Sequence, residues 1–361
     1  MRSLRALIAA GAVLALALST PAVASAASDP PPPQQWSDQL AAPFSLAVDG
    51  HRVLIADGGT GVIGQLQPDG SIAPVVEGVP GLAGVATRGA WMAYASSEMT
   101  GESEPPVITE SGVNIRDRKG HVTYADLHAY EAANNPDQVN TYGITDPASC
   151  VASDPRATYT GLVDAHAYNV TAYQGAWLVA DAGANTITRV TDDGDISIVA
   201  VLPPVPVVIT AEIAGMMGLP ECAVGDVYNV EPVPTGVAIG PGGAIYVTTL
   251  PGFPGEGASQ GALWQIDPDT GDATQIVSGL SGPTSIATAA NRTYIAELFG
   301  AGVSMVKAGE LSPFAELPGA LAVATAANGT VWVATMASEQ GPGTISSIWK
   351  GKVKVQGHIN R

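Results

Sequence analysis

The chain has 361 residues and carries 15 Lys and Arg against 33 Asp and Glu, a net charge of −18. A surface this acidic repels nucleic acid and anionic membranes and favours cations, sugars or neutral ligands. We therefore expect no nucleic-acid partner.

The first 26 residues are ordered as in a secretory signal peptide. A basic start with Arg2 and Arg5 precedes an apolar run at 6–18 and the small-residue cleavage site at 24–26. That run is too short for a membrane span, and no second long one follows. We predict cleavage after Ala26 and a secreted, extracellular monomer without a membrane span. Its net charge would be −20, with 13 basic and 33 acidic residues.

Residues 27–35 are rich in proline and predict a stiff linker, which leaves 36–361 as one domain. A pattern of short strand, tight turn and short strand then recurs six times, and a second hairpin follows four of the copies. The six copies lie at 43–57, 81–96, 167–181, 234–249, 283–297 and 320–335. The second hairpins lie at 62–76, 186–200, 262–277 and 345–355.

Four strands in each of six units predict an all-β fold, a six-bladed β-propeller. The segment 34–40 is a candidate to pair with the last blade and close the ring. The second strand of each unit ends in a polar residue. Because strands alternate in direction, we expect these six residues to surround one solvated opening, which we call the top mouth. They are Asp57, Ser96, Asp181, Thr249, Glu297 and Thr335.

Long insertions are expected on the same top face, at 97–111, 121–158, 203–232 and 250–260. Cys150 and Cys222 lie in two of them. In an oxidising compartment they predict one disulfide between neighbouring insertions, and the alternative is two buried free thiols.

One helix is predicted, within 124–137, together with four side chains that would project into a top-face ligand site. These are Glu131, Asn134, Asn135 and Asp137. The alternative is an ordinary helix end with a turn and solvated carboxylates. Asp164 and His166, at the start of blade 3, would bind a metal or move a proton, or be an ordinary surface pair. Thr249 completes the predicted ligand-binding set.

A second candidate site uses oxygen ligands suited to Ca²⁺. Its members are Asp57, Asp181, Asn185 and Glu297. The alternative for Asp181 is that it accepts hydrogen bonds from nearby backbone N–H groups. The acidic stretch 267–272 lacks the spacing of a calcium loop and predicts a β-turn. No catalytic residue is assigned, and Ca²⁺ is the one cofactor considered.

Three stretches, at 130–137, 177–190 and 233–254, resemble the exported ScyD/ScyE family in order and spacing. The resemblance covers most of the chain after residue 26. It implies export and an NHL-like or gluconolactonase-like propeller, and it implies no reaction. Before blade 3 the family usually has D-S-N-P-Y-G where residues 164–169 are D-A-H-A-Y-N, so no role of that Ser-Asn pair is carried over.

Two functions are therefore expected. The first is a protein that binds a small molecule, a glycan or a protein on its acidic top face. The alternative is a Ca²⁺-dependent, lactonase-like hydrolase with its site at the top of the central channel.

Overall fold

A computed structural model describes residues 34–100, 107–256, 259–339 and 341–349. The predicted signal peptide, most of the predicted linker, the tip of the 97–111 segment, residues 257–258 and the end of the 345–355 hairpin lie outside these ranges. Within them no helix is long and apolar enough to cross a membrane.

The first strand, β1 (Gln34–Leu40), takes in the last two residues of the predicted linker. Blades 1 and 2 follow in chain order. Blade 1 contains β2 (Pro43–Asp49), β3 (Arg52–Asp57), β4 (Val62–Leu66) and β5 (Ile72–Val76). Blade 2 contains β6 (Leu82–Arg88), β7 (Trp91–Thr100), β8 (Val107–Arg116) and β9 (Val122–Asp126).

Insertions precede and follow blade 3. The first contains α1 (Leu127–Asn134), a 3-10 turn (Pro136–Val139), β10 (Thr141–Gly143) and β11 (Thr158–Thr160). Blade 3 contains β12 (Ala167–Tyr173), β13 (Ala176–Asp181), β14 (Thr186–Val190) and β15 (Ile196–Val201). The second insertion contains β16 (Val205–Val208), α2 (Ala211–Met217), a 3-10 turn (Glu221–Ala223) and β17 (Val227–Val230).

The remaining three blades repeat the pattern of hairpins. Blade 4 contains β18 (Pro234–Ile239), β19 (Ile245–Thr249), β20 (Gly261–Ile266) and β21 (Ala273–Leu280), with a 3-10 turn at Pro241–Gly243. Blade 5 contains β22 (Pro283–Ala289), β23 (Arg292–Glu297), β24 (Gly302–Lys307) and β25 (Glu310–Glu316). Blade 6 contains β26 (Ala320–Thr325), β27 (Val331–Thr335) and β28 (Gly343–Ile348).

The first strand of each blade contacts the first strands of both neighbours, and β26 contacts β2, so these six strands form the innermost ring. The predicted six-bladed propeller is confirmed. β1 pairs with β28 as the fourth strand of blade 6, which confirms the predicted closure by the 34–40 segment. Of the hairpin predicted at 345–355, the first strand lies within β28, and the second strand lies outside the described residues.

The two insertions together build a seventh four-stranded sheet, in the order β11-β10-β17-β16, which we call the accessory sheet. Its buried side chains, including Val205, Val207 and Tyr228, share one hydrophobic core with Leu178 and Trp264 of blades 3 and 4. The sheet is therefore packed on the propeller as part of the same body. The Cys150–Cys222 disulfide joins the two insertions, as predicted, with a Cα–Cα distance of 6.2 Å.

The helix predicted within 124–137 is shorter than expected. Residues 122–126 form the outer strand of blade 2, and the helix begins only after Asp126, whose carboxylate accepts a hydrogen bond from the N–H of Ala129 at 2.8 Å. The helix ends at Asn135, which has a left-handed φ of 39°. The second helix, α2, was not predicted; Thr210 caps its start and Gly218 its end.

Candidate functional site

Each innermost strand has a register shift after its first residue, the mark of a β-bulge at its second residue. The bulge positions are Phe44, Ala83, Tyr168, Thr235, Thr284 and Leu321. Bulges change the direction of a side chain relative to its sheet. Phe44 of blade 1 and Tyr168 of blade 3 meet edge to face, with ring centroids 5.9 Å apart, and pack with the small Ala83 of blade 2. These rings therefore pack together at the starts of the innermost strands.

The carboxylates at the ends of the second strands of blades 1, 3 and 5 are buried. Asp57 accepts hydrogen bonds from the N–H groups of Ala41 and Ala42 at 3.0 and 2.7 Å. Glu297 accepts one from the N–H of Ser281 at 2.6 Å, and the Ser304 hydroxyl also donates to it. Each carboxylate thus holds the backbone that leads into the first strand of its own blade.

Asp181 does the same in blade 3. Its Oδ1 accepts hydrogen bonds from the N–H groups of His166 at 2.6 Å and of Gly183 and Ala184 at 3.2 Å. The backbone-capping alternative for Asp181 therefore describes its contacts. The prediction that all six polar residues face a solvated opening is wrong, because backbone donors draw these carboxylates into the protein.

Blades 2, 4 and 6 have hydroxyls at the same position, and these bond to the third strand. Thr249 Oγ1 accepts a hydrogen bond from Trp264 Nε1 at 2.9 Å, and Thr335 Oγ1 lies 2.9 Å from Thr344 Oγ1. The Nδ2 of Asn114 donates to the Ser96 hydroxyl at 3.4 Å. Thr249 is thus buried in its own blade and is not directed toward a ligand.

A cluster of acidic side chains lies where α1 packs over the start of blade 3, and we call it the acidic cluster. It consists of Glu131, Asp137, Asp164 and Asp181. Asn185 joins it, because its Nδ2 donates to Asp137 Oδ2 at 2.9 Å. The structure thereby unites residues from both predicted sites, the ligand-binding set and the metal set.

Glu131 is the central member of the acidic cluster. It is 2% exposed, the N–H of Asp164 donates to its carboxylate, and its Oε1 has no hydrogen-bond partner among the described residues. Burial, with the charges of Asp181, Asp137 and Asp164, raises the pKa of Glu131 to about 8. Glu131 therefore holds a proton at neutral pH.

Burial also raises the pKa of Asp181, to about 6, and Asp164 adds to the rise while the backbone donors oppose it. His166 is neutral at pH 7, because burial lowers its pKa more than Asp164 raises it. Its ring packs edge to face on Tyr168, with centroids 6.2 Å apart. Of the predicted Asp164–His166 pair, Asp164 thus belongs to the cluster, and the neutral His166 lies beside it.

The other side of the cluster joins α1 to blade 3 and the accessory sheet. Tyr142 OH of β10 donates to Asp137 Oδ2 at 3.3 Å, and Asn135 Nδ2 donates to the carbonyl of Gly161 at 3.0 Å. A Cβ on Gly161 would lie 1.9 Å from Asp137 Oδ1, so glycine is required there. Asn134 is exposed and its Nδ2 donates to the Tyr130 carbonyl at 2.8 Å, so its place in a ligand site stays a prediction.

Backbone strain is present next to the cluster. Val233 has a φ of +44°, a region that β-branched residues avoid, and such strain costs about 1–3 kcal/mol. Asn185, itself at φ +56°, holds this conformation through its Oδ1, which accepts the N–H of Val233 at 3.1 Å. Asn185 thus links the cluster to the start of blade 4.

The predicted calcium ligands do not form one site. Asp57, Asp181 and Glu297 lie in alternate blades and are engaged by backbone donors. Within the described ranges no group of three or more His, Cys, Asp and Glu side chains is placed to hold a metal ion. The 267–272 segment is the predicted turn, with Asp267 Oδ1 accepting the N–H of Asp269 at 2.9 Å.

Sequence reasoning missed the aromatic pair Phe44–Tyr168 and the buried Tyr142. The second residue of each innermost strand could have identified the pair, because the six copies align there. Tyr142 left no comparable signal, since only the tertiary fold brings it to Asp137.

Comparisons with known proteins support the fold alone. No family model matches the chain, and no curated protein matches it. Among solved structures, it is similar to the PQQ-bound aldose sugar dehydrogenase from Streptomyces coelicolor, with 14% identity, a TM-score of 0.52 and coverage of 87% of this chain and 96% of that one. A putative glucose dehydrogenase from Thermus thermophilus has 16% identity, a TM-score of 0.53 and coverage of 88% and 99%.

A calcium-binding regucalcin from Agrobacterium tumefaciens is similar at 12% identity, with a TM-score of 0.52 and coverage of 89% and 94%. Identities this low show a shared β-propeller fold and nothing finer. The resemblance to the ScyD/ScyE family stays a prediction.

Proposed function

We propose that the protein is an exported, ScyD/ScyE-like binding propeller that holds a ligand on its top face. The observation that carries the proposal is where large apolar side chains are exposed. Most of them lie in the two insertions and the top loops: Val139, Leu162, Val163, Val208, Met216, Val224, Val227, Phe299 and Met336. Exposed apolar surface concentrated on one face is typical of a binding site.

This distribution also limits the ligand. Val139 is 76% exposed and Phe299 is 60% exposed, so large apolar side chains are available to a ligand. A protein, or a small molecule with an apolar face, fits it better than a bare glycan. The acidic cluster joins α1 to the start of blade 3, because the N–H of Asp164 donates to the Glu131 carboxylate. Its proposed role is to hold the insertions in position.

The alternative, a calcium-dependent lactonase-like hydrolase, has less support. Its proposed ligands already accept backbone hydrogen bonds, and the described donors do not fit a metal ion. A hydrolase of this kind would have to bind its cation through Asp181 Oδ2, because Oδ1 already accepts three backbone N–H groups.

The test uses the mature chain from residue 27 and a hydrophobic fluorescent dye as the probe. Met216→Ser and Val163→Ser should each lower dye binding, whereas Leu311→Ser, at an exposed site on the bottom of blade 5, should not. A thermal-shift screen of apolar small molecules then follows, with the same three variants. Equal dye binding by all variants would contradict the proposal.

A second arm tests the hydrolase. Metal content and melting curves are measured after chelation and after Ca²⁺ is added back, with lactones and esters as substrates. Bound calcium, a higher Tm and turnover that disappears in Asp181→Ala would replace the binding proposal with the hydrolase.

A further inference from the structure

The bottom face, opposite the insertions, has a cavity of about 280 Å³ between blades 1 and 2. Its wall includes Arg52 at the start of β3, and Arg116, Arg118 and Lys119 at the end of β8 and in the turn that follows. Trp91, at the start of β7, adds an aromatic surface. The cavity therefore combines four basic side chains with one aromatic ring.

Such a concentration of positive charge is unusual for this chain, which has a net charge of −18. The described ranges contain nine Lys and Arg residues, and four of them line this one cavity. Asp117 is the single carboxylate in the wall. The cavity is thus locally positive on a protein whose remaining surface is acidic.

The basic side chains are also not neutralised by the protein. The ion pairs found among the described residues involve Arg88, His121 and Arg156, and none of the four cavity cations. Arg116 is only partly exposed, and no ion pair joins it to a carboxylate among the described residues. A half-buried guanidinium without an anionic partner is costly, and a bound anion would remove that cost.

Asp117 is held by its own turn. Its Oδ1 accepts the N–H groups of Lys119 and His121 at 2.7 and 2.9 Å, and its Oδ2 lies 3.2 Å from His121 Nδ1. These bonds fix the turn that presents Arg118 and Lys119. On the opposite wall, Arg52 Nε donates to Gln65 Oε1 at 3.4 Å, which orients its guanidinium. The charges are therefore placed by the fold.

We propose that this cavity binds a small organic oxyanion, a carboxylate or a phosphate ester on a body of about monosaccharide size. Guanidinium groups pair with planar carboxylates and with phosphates through two parallel hydrogen bonds. The cavity is at the small end of ligand sites, which begin near about 300 Å³. A long polyanion is disfavoured, because the acidic surface beyond the cavity would repel it.

The test is isothermal titration of the mature chain at low ionic strength with three probes: glucuronate, glucose 6-phosphate and glucose. The two anions should bind and glucose should not, and added salt should weaken binding. Arg116→Gln should weaken anion binding by about tenfold or more, as expected for loss of a charge-assisted pair. Lys307→Gln is the matched control, since Lys307 is also the last residue of a third strand, in blade 5.

Preference for glucuronate over glucose 6-phosphate, or the reverse, identifies the source of the oxyanion. Two results would overturn the proposal: no heat with either anion, or the same affinity in Arg116→Gln as in the unmodified chain. Binding of glucose as tightly as its anionic relatives would do so as well. Because the cavity is on the bottom face, none of these results bears on the proposed top-face function.

Discussion

Blade 1 and blade 3 begin with the same hydrogen-bonding arrangement, but its consequences differ between the two blades. In both, an aspartate at the end of the second strand, Asp57 or Asp181, accepts backbone N–H groups just before the first strand. Only at blade 3 does α1 lie next to this point, and Glu131 of α1 there lies near the charges of Asp181, Asp137 and Asp164. A carboxylate that accepts hydrogen bonds at the start of a blade thus becomes part of the acidic cluster when an insertion packs on it.

The comparison extends around the ring as an alternation with a period of two blades. Odd blades have Asp57, Asp181 and Glu297, which hold the start of the blade, and even blades have hydroxyls that bond to the third strand. The innermost strands alternate too. Ser45, Asn169 and Ser285 of the odd blades bond to the backbone of the next blade, at Val85, Val237 and Val323. The repeating unit of the molecule is therefore a pair of blades.

The largest expected effect on stability comes from the disulfide that joins the two insertions on either side of blade 3. Replacing Cys150 and Cys222 together by Ser should cost about 4 kcal/mol of unfolding free energy, as the loop-entropy model gives for a separation of 72 residues. Urea unfolding measures it. Hydrogen exchange should rise first in the accessory sheet, and a uniform rise over all blades would contradict a local role.

The second-largest effect is expected from removal of the aspartate carboxylate that blades 1 and 3 have in common. Asp57→Ala and Asp181→Ala should each cost about 2–3 kcal/mol, because charged acceptors of buried N–H groups are lost. For Asp181 the cost should fall as pH rises from about 4 to about 6, since burial raises its pKa to about 6 in the folded chain and makes the ionised form unfavourable there. Urea midpoints at the two pH values test this. A cost for Asp181→Ala that grows with pH would refute the comparison.

A smaller effect is expected from Glu131→Gln. The folded chain keeps a proton on Glu131 up to a pKa of about 8, whereas the unfolded chain releases it near 4.5, so stability falls as pH rises between these values. The variant removes that loss and should raise the Tm at pH 8.5 by a few degrees. The control is Glu212→Gln, at an exposed residue of α2. An unchanged pH profile in Glu131→Gln would contradict the raised pKa.

The smallest effect is expected in the even blades. Thr249→Val keeps the shape of the side chain but removes the acceptor for Trp264 Nε1, at a cost of about 1–2 kcal/mol. Thr335→Val, at a partly exposed position, should cost less. Thermal unfolding compares the two variants. Equal losses of unfolding free energy would show that burial does not determine how much this hydrogen bond stabilises the protein.

Much of the fold could be predicted from the sequence because its repeats are local. Each hairpin has its own turn and its own alternation of apolar residues, so six copies and the closing strand could be counted. The disulfide followed from two cysteines in neighbouring insertions. The helix boundary was harder, since residues 122–126 are a strand only because blade 2 needs a fourth one.

The site was predictable in composition but not in arrangement. Glu131, Asp137, Asp164, Asp181 and Asn185 were all singled out, yet assigned to separate sites. Their union depends on α1 packing on blade 3, a contact between distant parts of the chain. Asp57, Glu297 and Thr249 were expected in an open mouth, and hydrogen bonds from backbone N–H groups and from the Trp264 side chain place them inside instead.

The sequence by itself determined the number of blades, the closing strand and the cysteine pair, because these depend on local periodicity and on residue type. Only the tertiary structure decided which carboxylates are buried and which of them form the acidic cluster. It also decided that four basic side chains line one cavity on the bottom face. Burial and the distance between charges set those properties, and both depend on how remote segments pack together.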